Sequence, residues 1–278
     1  MPGSSTCSIF SNPFEEKDIV IKFGVKYERS ERFKRWLLEQ LESYQCHRIL
    51  EAACGTGGDS LLLLEKGFHV TSSDDSQQMV NYARQVKQEK QIENWEILPA
   101  NWLSLRDDLH GLGTFDAVLC VSSSIICLID KTPELALYRQ SFKNFKSMLK
   151  PGGILLIDHR NMDAVIDQGA PVNKNVYYKH DTIANMESQL VTNGGNPFAA
   201  NISYDMIQEH SDRQDSLPSK GIVERVTIPL QAIRTHKFLS LLKEIFGEDC
   251  EYDTFADFKS CEEVDSPAYY QYVFRKTT

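Results

Sequence analysis

Three patterns in this sequence could do chemistry. The first is Leu50-Glu51-Ala52-Ala53-Cys54-Gly55-Thr56-Gly57-Gly58-Asp59-Ser60, where a short apolar run breaks into glycines. Glycine lets a ligand approach the backbone closely, and a helix starting behind the turn offers unpaired N–H groups. A dinucleotide site would continue as G-x-G-x-x-G, but the third position is Ser60, and no G-x-x-x-x-G-K-[ST] is present. The loop therefore suits a nucleoside that carries no pyrophosphate. The second pattern is Asp74, at the end of the second expected strand, where a carboxylate can accept both ribose hydroxyls of a nucleoside lying over the loop. The third is Asp158-His159-Arg160-Asn161, which follows Pro151-Gly152-Gly153. There Arg160 brings a cation to a strand end, where such sheets place their sites. Its plainer alternative is an ion pair with Asp158 or a surface acid. His159 reads as structural rather than as a base. No Ser-His-Asp or paired-carboxylate machinery is found, so no catalytic acid, base or nucleophile is assigned.

These residues need a scaffold, and the hydrophobic rhythm supplies one. Residues 28–44 carry Phe33, Trp36, Leu37, Leu41 and Tyr44 at helical spacing. Strands are expected at Ile49–Ala53, His69–Ser73, Trp95–Asn101, Phe115–Ser122 and Ile154–Asp158. Helices fall between them: one capped by Asp59 or Ser60 and stopped by Gly67, one capped by Ser76, and one over residues 132–150. Helices alternating with wholly apolar strands predict a Rossmann-like α/β fold whose mostly parallel sheet is covered on both faces. Such sheets bind ligands at the carboxyl ends of their strands. Past Asp158 the pattern weakens to alternation, at Val176-Tyr177-Tyr178, Ile202 to Ile207 and Ile222 to Ile228. This predicts a small antiparallel sheet inserted after the fifth strand. A helix over 236–247 and strands at Glu251–Phe255 and Ala268–Arg275 then complete a seven-stranded sheet. The organisation expected is an arm over 1–27, a core over 28–160, a lid over 161–235, and a return to the core over 236–278.

Composition narrows the partners. The 278 residues are 41% hydrophobic and 25% charged, an ordinary globular balance. The net charge of −9 argues against nucleic acid, whose binding draws on Lys and Arg. The apolar run Leu61–Leu64 is cut by Glu65-Lys66 and no run approaches the ~20 residues a span needs, so no membrane span is expected, and the first residues lack the pattern of a secretion signal. Seven cysteines without a C-x-x-C pair read as reduced thiols of a cytoplasmic protein, and no His/Cys spacing suits a metal.

The run E-x-x-C-G-T-G followed by V-T-S-x-D resembles the S-adenosylmethionine site of class I methyltransferases. The closer resemblance is to the glycine N-methyltransferase family. It is carried by Cys46-His47-Arg48-Ile49-Leu50, Gly67 to Ser72, Ala100-Asn101-Trp102-Leu103, Phe115-Asp116-Ala117-Val118, Tyr177-Tyr178-Lys179 and the Pro151 to Asn161 block, in order. The resemblance implies S-adenosylmethionine as cofactor and S-adenosylhomocysteine as product. It implies cofactor contacts from Arg29 to the methionine carboxylate, from the backbone of Ala53, Gly55 and Val121 and the turn at Gly57, from Asp74 to the ribose, and from Asn101 and Trp102 to the adenine. It implies Arg160 as the clamp for an amino-acid carboxylate, with Ser123, Tyr178 and Tyr204 lining the substrate pocket. It also suggests a homo-oligomer. The chain departs from the family at Phe10, Ile19 and Lys22 in the arm, and at Ser122-Ser123-Ser124 and Cys127. The implied activity is N-methylation of a small amino acid or amine, glycine or sarcosine first. A larger amino acid or an aromatic amine is the alternative that Ser123 leaves room for. A cofactor-binding sensor with little turnover is the third reading.

Overall fold

The computed structural model describes residues 28–132, 134–179, 183–207 and 222–277. Phe10, Ile19, Lys22 and Cys7 lie outside them. The first helix, α1 (Glu31–Ser43), starts where the Ser30 hydroxyl accepts the Phe33 N–H, and buries Phe33, Trp36, Leu37 and Leu41 along one stripe. Strand and helix then alternate through β1 (Arg48–Glu51), α2 (Gly58–Glu65), β2 (His69–Asp74), α3 (Gln77–Glu89) and β3 (Glu96–Pro99). A single-turn helix α4 (Leu105–Asp108) leads to β4 (Phe115–Cys120), then to a 3₁₀ turn (Ser124–Cys127), α5 (Ala136–Met148), β5 (Leu149–Arg160) and α6 (Met162–Gln168). Next come β6 (Ile183–Asn193), β7 (Asn196–Ile207), β8 (Ile222–Gln231), α7 (Thr235–Phe246), β9 (Tyr252–Ala256), β10 (Lys259–Ser260) and β11 (Tyr269–Arg275).

The central sheet runs β10-β9-β11-β5-β4-β1-β2-β3. Strands β1 to β5 are parallel neighbours, and β11 is antiparallel to both β5 and β9. Strand order reverses between β1 and β4, so their carboxyl ends diverge into a crevice. Both faces are covered, and most strand residues are buried on each. In β5, Leu155 and Ile157 enter one core with Tyr138, Phe142 and Phe238, while Ile154 and Leu156 enter the other with Phe33, Trp36 and Leu37. Each such side chain contributes about 1.5–3 kcal/mol on burial.

Strands β6, β7 and β8 form a separate three-stranded antiparallel sheet. Its hairpin turns at Gly194-Gly195, with φ of 57° and 83°, which are the left-handed values that match hairpin twist. Ala200, Ile202, Tyr204 and Met206 alternate inward and, with Val226, Ile228 and Leu230, pack onto the main core.

The structure corrects the expected pattern in four places. The central sheet has eight strands, because β10 folds back on β9. Val176-Tyr177-Tyr178 is no lid strand: Tyr177 packs into the core under α1, and Tyr178 makes one isolated bridge to Arg29. Asn161 accepts the Ala164 N–H and starts α6 where only weak alternation was expected. Neither Asp59 nor Ser60 caps α2, whose cap is Gly57 at φ 86°. Among the described residues no helix is long and apolar enough to cross a membrane.

Candidate active site

A cavity of about 1140 Å³ opens where β1, β2, β4 and β5 end, under Tyr204 and Ile228 of the small sheet. Arg29, Ala53, Gly55, Asp74, Asn101, Trp102 and Val121 all line it. So do Ser123, Arg160, Tyr178 and Tyr204. The chain thus gathers residues more than a hundred positions apart at one sheet edge.

Gly57 is the exception, since it does not line the cavity. A Cβ at Gly57 would lie 2.5 Å from Trp95 Cη2, so the glycine lets α2 pack against the Trp95 ring. The turn beside it is held by Asp74, whose carboxylate accepts the Gly55 N–H at 2.9 Å and the Ser76 N–H at 3.0 Å. Asp74 therefore ties the glycine turn to the start of α3 while facing the cavity. Beyond it the Asn101 amide donates to Asp75 at 2.9 Å, and Trp102 Nε1 donates to the Ala52 carbonyl at 2.6 Å. Trp102 is thereby fixed with one edge toward Phe145 and the rest of the ring on the cavity wall.

Sequence reasoning missed several lining residues. Asp75, beside the chosen Asp74, also lines the cavity. Met79, Tyr82 and Val86 line the same end. Their spacing of three and four on α3 was the available signal.

Two arginines serve the cavity differently. Arg29 is gripped by Asp59, with Nε to Oδ1 at 2.8 Å and Nη2 to Oδ2 at 2.7 Å. Its guanidinium lies 5.1 to 5.5 Å from the ring centres of Phe33, Tyr177 and Tyr178. The third nitrogen, Nη1, is buried and without a hydrogen-bond partner. An orphaned cationic donor at a cavity wall fits an anionic group, which is what a cofactor carboxylate would provide. Below it Glu51 is buried and accepts the Ser60 hydroxyl, and burial beside Asp59 holds its carboxyl well above the ordinary range.

Arg160 ends β5 with 2% of its surface exposed. Its Nη2 donates to the Tyr269 hydroxyl and its Nη1 to the Val172 carbonyl at 3.4 Å. The Tyr269 and Tyr204 rings flank it at 4.6 and 5.8 Å. Among the described residues no carboxylate pairs with it at ion-pair distance. Asp158, the sequence's alternative partner, instead accepts the N–H groups of Ser122 and Ser123, at 3.1 and 2.6 Å. A buried guanidinium held only by neutral oxygens and ring faces is costly, and an anion entering the cavity relieves that cost.

His159 faces away from the cavity. Its Nδ1 contacts the Arg160 carbonyl at 2.7 Å, its Nε2 contacts the Tyr272 hydroxyl at 3.1 Å, and burial pushes it down to about 4. It stays neutral and structural. Cys54 and Cys127 line the cavity, but burial raises both thiols, Cys127 to about 12, so neither is a ready nucleophile. Among the described residues no group of three or more His, Cys, Asp or Glu could hold a metal ion.

Comparison with known proteins follows the same lines. Residues 45–225 match the family described as Methyltransferase domain. The chain is 35% identical to "Glycine N-methyltransferase" of Rattus norvegicus over 256 residues, which is 90% of this chain and 86% of the relative. It is 27% identical to "Glycine/sarcosine/dimethylglycine N-methyltransferase" of Actinopolyspora halophila, covering 94% of this chain and 41% of that one. Among solved structures it is similar to a S-adenosylmethionine-dependent methyltransferase from Clostridium acetobutylicum, with a TM-score of 0.65, 16% identity, and 94% and 96% of the two chains covered.

Proposed function

The chain belongs to the glycine N-methyltransferase family, and on that premise we propose that it methylates the amino nitrogen of glycine or sarcosine. It is an S-adenosylmethionine-dependent N-methyltransferase. The observation that carries the choice of substrate is Arg160. It is a buried cation with no carboxylate partner among the described residues, in the same cavity as the glycine turn and Asp74.

The residue roles follow from which groups line the cavity and, for Arg29, from the donor it has to spare. Arg29 Nη1 has a free donor for the methionine carboxylate, and the Gly55 and Ala53 backbone lies beneath that end. Asp74 faces the ribose hydroxyls, and Asn101 and Trp102 bound the adenine end. Val121 meets the cofactor through its backbone. When bound, S-adenosylmethionine supplies an electrophilic methyl on a sulfonium and departs as a neutral thioether. The protein therefore needs no acid for the leaving group. Its work is to present a neutral amine in line, and well-held geometry can supply up to ~7–11 kcal/mol of the barrier. Arg160 fixes the acceptor by its carboxylate, and Tyr178, Tyr204 and Ser123 enclose it.

A second reading, a larger amino acid as acceptor, is favoured by one feature. Cys127, Leu128, Ile183 and Ile228 give the cavity an apolar wall on the side of Tyr204. Mass-spectrometric assay of methyl transfer to a panel of amino acids and amines separates the two. Methylation of glycine or sarcosine is expected. Turnover confined to bulkier amino acids would transfer the assignment to the second reading, and tight cofactor binding without turnover of any acceptor would overturn both.

A further inference from the structure

We propose that Asp158 is the positioning residue of the acceptor end of this site, its carboxylate holding the Ser122-Ser123 turn in the left-handed form that shapes the cavity wall. The inference rests on the proposed placement of the acceptor beside Arg160.

The chain leaves β4 at Cys120, which lies opposite Ile157 of β5. Ser122 and Ser123 then adopt φ of 65° and 61°. Residues with a Cβ avoid this region, and two in succession persist only where surroundings impose it. Here the imposing group is one carboxylate: both N–H groups converge on Asp158, at 3.1 and 2.6 Å, and Asp158 itself is fully buried. Both serines line the cavity, so the turn forms part of its wall, while their hydroxyl oxygens are buried inside that wall without a hydrogen-bond partner. A turn held in one conformation fixes the shape of the wall against which an acceptor gripped by Arg160 must lie.

Converging amide bonds of this kind are strong only to an ionised carboxylate. Burial raises the Asp158 carboxyl to about 7, opposed by the Ser122 and Ser123 N–H groups. Arg29 also favours its charge and Asp59 opposes it, while Cys120 of β4 and Tyr269 and Tyr272 of β11 face it uncharged. The hold on the turn therefore changes across neutral pH.

The test compares wild type with Asp158→Asn. Glycine KM and kcat are measured at saturating cofactor from about pH 5 to about pH 9, corrected for the neutral-amine fraction. S-adenosylhomocysteine Kd is titrated separately. The expected result is an acceptor KM raised about tenfold or more in the variant, with cofactor Kd within about twofold. A step in wild-type acceptor KM near neutrality should vanish in the variant. Unchanged acceptor KM, or equal weakening of acceptor and cofactor, overturns the proposal. Amide hydrogen exchange at Ser122 and Ser123 gives a readout that needs no turnover. In wild type both amides should be strongly protected, as groups bonded to a buried carboxylate are, and fast exchange at both would sink the inference even if the variant failed to fold. If wild type turned over no acceptor, the functional reading would fall while the exchange experiment still decided the role of Asp158.

Discussion

Arg29 and Arg160 are both guanidiniums on one cavity wall, and their partners decide what each can do. Asp59 occupies two of the three Arg29 nitrogens, so Arg29 is a neutralised anchor with one donor to spare. Arg160 has only neutral partners and keeps its charge for a ligand. Replacing Arg160 with Ala should therefore cost about 2–3 kcal/mol in kcat/KM for a carboxylate-bearing acceptor, with cofactor Kd nearly unchanged. Steady-state kinetics beside a cofactor titration checks this, and equal activity would remove the clamp. Asp74→Ala should weaken S-adenosylhomocysteine binding by about 1.5–3 kcal/mol in a calorimetric titration, because it removes hydrogen bonds to a charged group. It also frees the Gly55 and Ser76 N–H groups, so the loss should exceed that of Asp74→Asn, which keeps one acceptor oxygen. Arg160 and Asp74 were legible in the sequence because each stands at the end of an expected strand, and strand ends are where such sheets bind. The Arg29–Asp59 pair was not legible, since it depends on how the approach to α1 crosses the start of α2, which no local pattern records.

Elements show the same division between local and long-range information. The strands of the parallel sheet were readable because burial on both faces demands continuous apolar runs. Tyr177 and Tyr178 misled because a period of two needs only that neighbours face opposite ways. Here one faces the core and the other the cavity, outside any strand. The G-x-G turn misled more subtly. Gly55 lines the cavity, but Gly57 is required by the Trp95 ring and by its own φ of 86°. A Cβ at Gly57 would incur a left-handed backbone penalty of about 1–2 kcal/mol and overpacking of about 1–3 kcal/mol. Gly57→Ala is thus expected to lose about 2–4 kcal/mol of unfolding free energy in a urea titration. A loss below about 0.5 kcal/mol would show that Trp95 yields freely, as surface positions do.

Across the whole molecule, the interior holds ionisable groups whose shifts oppose one another. Asp158 stays protonated in the fold up to about pH 7, whereas the unfolded chain releases that proton near 3.8. Between those values the native state binds the extra proton, so Asp158 makes stability fall as pH rises. Glu51 acts in the same direction. His159 acts in reverse: the unfolded chain takes up a proton below 6.5 and the fold only near 4, so stability falls as pH drops through that window. In wild type the Asp158 and His159 effects offset each other where the windows overlap. Removing one exposes the other. The stability of Asp158→Asn relative to wild type should therefore climb with pH across the interval from 3.8 to about 7, by up to about 1.4 kcal/mol per pH unit. Urea unfolding of both proteins at about pH 5 and about pH 7 measures that slope directly. Parallel curves would mean that Asp158 is ionised throughout, and that its charge costs the fold nothing. A rising difference would mean that the carboxylate gripping the Ser122-Ser123 turn is maintained against the stability of the chain, as expected of a group kept for the geometry of a site rather than for the fold.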